Sequence, residues 1–119
     1  MMSQLKDVLA DMTRVDGVVA AMIVGRDGFV VEGMTTEERV DLEALGAIVA
    51  SNIAAADSMG KEMGRGSLRT MLLEYDDGPV AVGPAGADAI MVVVGTRLAN
   101  LGRIRLEMRR NSQLAAALV

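Results

Sequence analysis

The sequence predicts an α+β domain: a five-stranded antiparallel sheet with a long central helix on one face and the two terminal helices on the other, in the order αββαβββα. Three observations carry this. Residues 41–63 hold a long helical apolar stripe. Two apolar runs meet across Asp27-Gly28, a tight-hairpin signal in which glycine supplies the positive φ. Three further runs of strand length follow the helix, joined by turns that suit antiparallel neighbours. The 119 residues suit one domain, 1–119, with one modest core.

The elements follow in order. Ser3 to Val15 is predicted as a short amphipathic helix, with Leu5, Val8, Leu9 and Met12 at i, i+3, i+4 and i+7 and Ser3 as N-cap. Asp16-Gly17 stops it. Val18 to Val24 is an apolar strand, and Phe29-Val30-Val31 is its hairpin partner. Gly33 to Val40 is polar and is expected to be a loop. Asp41 caps the central helix, and Glu43 suits the positive end of its dipole.

On that helix Leu42, Leu45, Val49, Ile53, Ala56 and Gly60 share the core side, with Met59 and Met63 at its edge. The opposite side carries Ala44, Ala47, Ser51, Ala54 and Ser58, with no charge between Glu43 and Asp57. A helix that is apolar or small all round is normally covered on both sides. A chain this short has little material for a second cover, so another copy or a partner is expected there. The plainer alternative is an alanine-rich solvent face, since alanine is the best helix former.

Gly60, Gly64 and Gly66 are expected to end the helix. Ser67 to Tyr75 is the third strand, Asp76-Asp77-Gly78-Pro79 a turn, and Pro79 to Gly83 the fourth strand. After the turn Pro84 to Asp88, Ala89 to Gly95 is apolar enough to be a central strand covered on both faces. Thr96 to Val119 closes the chain as a helix with Leu101, Ile104, Met108, Ala115 and Leu118 as its stripe.

Composition narrows the function. Net charge is -4, which argues against a nucleic-acid partner, because phosphates call for a basic footprint. The chain has neither Cys nor His, so thiolate sites and the commonest metal ligand and general base are absent. No cofactor or metal is expected, and no catalytic residue is assigned. The charge-free run Ala44 to Ala56 is too short to span a bilayer, so direct membrane insertion is not expected. MMSQLKDVLADM lacks the charged and apolar regions of a signal peptide, and a cytoplasmic location is expected.

Four stretches suggest chemistry and are weighed against plainer readings. Asp76-Asp77 and Glu37-Glu38 read as turn and loop solvation rather than a catalytic dyad. Gly60 to Ser67 superficially resembles a phosphate loop, but it follows a helix and lacks the closing Gly-Lys-Ser/Thr. Arg103, Arg105, Arg109 and Arg110 could include an arginine finger. Arginines beside an apolar stripe more often cover core with their stems, and that reading is preferred.

Taken together, these residues resemble the roadblock/LC7 family over nearly the whole chain. The match comprises Leu5–Met12, Asp16-Gly17-Val18, the hairpin Arg26-Asp27-Gly28-Phe29-Val30-Val31, the Ala-rich helix from Leu42, and Ala89–Gly95 followed by Leu101-Gly102. The resemblance implies the profilin-like αββαβββα fold and a homodimer, with third strands paired edge to edge and central helices side by side. It further implies a non-enzymatic platform that binds and regulates a Ras-like small GTPase, and that could activate GTP hydrolysis by reshaping the GTPase's own loops. The alternative is a structural adaptor or scaffold without that role. A ligand sensor built on the Met-rich interior is a third, weaker reading.

The residues assigned to the dimer interface are Ala47, Ser51, Ala54 and Ser58, whose small side chains let helices approach, and Leu68, Arg69, Met71 and Leu73 of the third strand, whose open edge needs cover. By resemblance, the partner-binding flank of the central helix holds Glu43, Ala50, Asp57 and Lys61, with Ala54 beside them.

Overall fold

The computed structural model describes residues 4–119. Its elements are α1 (Leu5–Thr13), β1 (Val18–Gly25), β2 (Val30–Thr35), α2 (Leu42–Glu62), β3 (Met71–Tyr75), β4 (Gly78–Pro84), β5 (Ala89–Gly95) and α3 (Leu101–Leu118). The strands form one antiparallel sheet in the order β2-β1-β5-β4-β3.

The central place of β5 follows from its sequence. Ala89, Met91 and Val93 join the core beneath α1 and α3, while Ile90 and Val92 join the core beneath α2. β1 behaves the same way, with Ala21 and Ile23 on one side and Met22 and Val24 on the other. Alternating side chains are thus apolar on both faces, as a strand with two covered faces requires. α2 packs on one face through Val49 and Ile53, and α1 and α3 pack together on the other through Val8, Leu9, Met12, Ile104 and Met108.

Several boundaries differ from those expected from the sequence. Ser3, the expected N-cap of α1, lies outside the described residues, and the helix starts after Gln4, whose side chain makes no capping bond. β2 does not give way to a loop at Gly33 but runs to Thr35, with Gly33 opposite Met22. A Cβ on Gly33 would lie 2.7 Å from Leu42 Cδ1, so the missing side chain lets the first turn of α2 settle on the strand. Asp41 caps α2 as expected, its carboxylate accepting from the Ala44 N–H at 3.1 Å.

β3 begins at Met71 rather than Ser67. The Leu68 N–H donates to Asp57 Oδ1 at 3.0 Å. Extending the β3–β4 register would set Arg69 opposite Pro84, whose nitrogen has no hydrogen to donate. α3 begins at Leu101 rather than Thr96, because Asn100 caps it by accepting from the Arg103 N–H at 3.0 Å. The preceding turn fits against Gly17, which has φ +86° and whose Cβ would sit 2.6 Å from Ala99 Cα.

α2 ends after Glu62, with Gly60 still inside the helix. The Gly64 N–H donates to the Lys61 carbonyl at 3.0 Å and the Arg65 N–H to the Gly60 carbonyl at 2.8 Å, with Gly64 at φ +67°. Met59 and Met63, expected at the edge of the core side, are 60% and 58% exposed. The sheet offers no surface at that angle: α2 lies over β1, β2 and β4, and its buried residues are Gly46, Val49 and Ile53.

Candidate functional site

The unfinished part of the molecule is the outside of α2 together with the free edge of β3. Ala47, Ser51, Ala54 and Ser58 are all exposed on α2 in a single chain. Between this small-residue side and the core side runs a second exposed strip. It holds Ile48, Asn52, Ala55, Met59 and Met63, each about one turn from the next. Ile48 is 57% exposed, comparable to Met59 and Met63, so three large apolar side chains on one helix meet no part of the chain's own core. The sequence reading missed Ile48 because it sorted the helix into a core side and a small side. The signal was the size of Ile48, Met59 and Met63 at positions between the two.

Among the described residues β3 is an edge strand that pairs only with β4. Met71 and Leu73 are half-buried, Tyr75 is exposed, and Leu72 is 38% exposed on the opposite face. Leu68 is half-buried against the α2 core and Arg69 is exposed. An edge with this apolar content and no covering element is a template for another strand.

The assigned partner-binding residues do not converge on one point. Glu43 lies in the first turn of α2 and Lys61 in the last, a separation of about 27 Å at ~1.5 Å per residue. Ala50 is half-buried against the sheet, and a Cβ on Gly28 of the β1–β2 hairpin would touch it at 3.8 Å. Asp57 is engaged within its own chain. One of its carboxylate oxygens accepts from the Leu68 N–H at 3.0 Å, and the other lies 3.3 Å from Lys61 Nζ. The Leu68 N–H first, and then Lys61, hold its carboxyl below the usual aspartate range. Asp57 therefore fixes the chain between α2 and β3.

The arginines of α3 divide. Arg103 Nε and Arg110 Nη1 lie 3.6 and 3.2 Å from Glu107 Oε1, and Glu107 is only 6% exposed. These two guanidiniums offset a buried carboxylate between α1 and α3. Asn111, buried beside it, donates to Asp11 Oδ2 at 3.0 Å and to the Glu107 carbonyl at 2.8 Å. Among the described residues no group of three or more His, Cys, Asp or Glu is placed to hold a metal, and no helix is long and apolar enough to cross a membrane. What the arrangement offers is an exposed apolar strip on α2 beside an open strand edge.

The comparisons agree with this architecture. The Roadblock/LC7 domain model matches residues 4–95, from the start of α1 to the end of β5. An uncharacterized protein of Methanocaldococcus jannaschii is 34% identical over 108 residues, covering 91% of this chain and 90% of the relative. A structure described as MglB with tetrameric arrangement superposes with a TM-score of 0.89 at 27% identity, covering 95% of this chain and 85% of that one. The gliding protein MglB from Thermus thermophilus superposes with a TM-score of 0.88 at 27% identity, covering 95% and 86%.

Proposed function

Because the chain belongs to the Roadblock/LC7 domain family, we propose that it works as a homodimeric, non-enzymatic platform that binds and regulates a Ras-like small GTPase. The observation that carries this reading is the uncovered surface itself: the exposed apolar strip Ile48–Met63 and the free edge of β3. Similarity to MglB structures at 27% identity supports the regulatory class.

In this reading the dimer interface joins β3 to its copy through the edge that holds Leu68, Arg69, Met71 and Leu73, and brings the two α2 helices side by side. Ile48 and Met59 are added to Ala47, Ser51, Ala54 and Ser58 as residues that pack across the twofold axis. The GTPase docks on the polar flank that keeps Glu43 and Lys61 exposed. Regulation then acts on the GTPase's own loops: binding one of their arrangements better than another shifts their populations. This mechanism needs no reacting group from the platform.

The test is co-purification of the protein with a Ras-like GTPase from the same source, once with GDP and once with a GTP analogue, followed by a hydrolysis assay. The expected result is nucleotide-dependent retention, weakened by Glu43→Lys while the dimer stays intact. Retention independent of nucleotide, with hydrolysis unchanged, would favour the scaffold alternative.

A further inference from the structure

At the entrance to β3 lies a groove of about 340 Å³ lined by Arg69, Thr70, Gly83, Pro84, Met108 and Arg109, among others. It opens because Gly83 has no side chain; a Cβ there would lie 3.0 Å from the Arg69 carbonyl and 3.5 Å from Met108 Cε. Both arginines are exposed, and among the described residues neither has a carboxylate within salt-bridge distance. Glu74, on the same edge strand, is the converse: exposed, with no cation of the described residues in reach.

Strand geometry connects the two. The β3–β4 hairpin closes at Tyr75 opposite Gly78 around a two-residue turn. Tyr75, Leu73 and Met71 therefore bond inward to β4, and Leu72 and Glu74 present their N–H and C=O groups to the open edge. In antiparallel pairing, opposed side chains share a face, so in a twofold pair each residue opposes one of the same parity. Leu72 opposes Ala81, which belongs to the core under α1 and α3, so Leu72, Glu74 and Thr70 belong to the face on which α3 lies. That is also the face of the groove.

We propose that the groove is a receptor for Glu74 of a second copy of this chain, and that this contact sets the register of the dimer. The inference rests on the dimer reading above and specifies it. Leu72 lies opposite itself on the twofold axis, Met71 opposes the partner's Leu73, and Thr70 opposes the partner's Glu74. The carboxylate then enters between Arg69 and Arg109, and symmetry makes the contact twice. The charges are complementary, and Thr70, of the same parity as Leu72 and Glu74, gains a strand neighbour on the open edge. The competing register, centred on Leu73, would bring the partner's Asp77 opposite Arg69 instead.

The chain has no cysteine, which makes a crosslinking test clean. Directly opposed, bonded residues have Cα atoms about 5.5 Å apart, within disulfide range. Leu72→Cys is expected to form a covalent dimer under mild oxidation, and Leu73→Cys is not. By sedimentation, Glu74→Arg and Arg109→Glu should each weaken the dimer about tenfold, and the double variant should recover most of the loss. Circular dichroism checks that each variant folds. Crosslinking at residue 73 rather than 72, or dimerisation indifferent to both charge reversals, overturns the register and leaves the dimer reading standing. A wild-type chain that does not self-associate overturns both.

Discussion

Asp57 shows how one side chain joins two levels of the structure. It lies near the end of α2, yet its carboxylate fixes the amide of Leu68, eleven residues on, and so sets where β3 enters the sheet. The Leu68 bond and Lys61 lower its pKa in the folded state. The sign of the linkage follows: the contribution is complete above the unfolded-state pKa and is lost as the pH falls through the depressed folded-state value. Asp57→Asn keeps an acceptor for the Leu68 N–H but removes the charge. Its thermal stability is therefore expected to fall less steeply than wild type as the pH drops below about 4. Melting temperatures that fall in parallel for the two proteins through this acid range would contradict the assignment.

The elements show which parts of the fold can be read from sequence and which cannot. Helices and strands declared themselves wherever burial made an apolar pattern, as in the continuous runs of β1 and β5 and the periodic stripe of α2. Several of their ends did not, because these were set by single contacts that the apolar pattern leaves unmarked. β2 continues through Gly33 because Leu42 needs its empty side, β3 starts late because Leu68 bonds to Asp57, and α3 starts late because Asn100 caps it. The α1–α3 layer depends similarly on a buried residue that periodicity leaves unmarked. Asn111 is 2% exposed and ties Asp11 to the Glu107 carbonyl. Asn111→Ala is expected to lower the unfolding free energy by about 1–3 kcal/mol in a urea titration, since buried partners lose their bonds. For the candidate surface, the sequence marked the small-residue side of α2 and the β3 edge, but not the strip Ile48–Met63. An amphipathic pattern identifies only what is apolar; packing on the sheet decides which apolar residues are left over. Ile48→Glu with Met59→Glu should leave the isolated fold within about 0.5 kcal/mol, as exposed substitutions do, while weakening self-association.

At the scale of the whole molecule, the two faces of the sheet are finished differently. One is closed by α1 and α3, which bury Leu9, Met12 and Ile104 almost completely. The other is closed by α2 alone, and this helix keeps Ile48, Met59 and Met63 more than half exposed beside an open strand edge. A partner that completes this side would complete the molecule, and under the proposed function a second copy would do so with the same patch used twice. The proposed regulatory function depends on that dimer, because the GTPase-docking flank is expected to span two α2 helices. Sedimentation equilibrium of the purified chain at tens of micromolar tests it most directly. The expected result is a species of twice the 12.5 kDa chain mass. A single species of 12.5 kDa across that concentration range would contradict it.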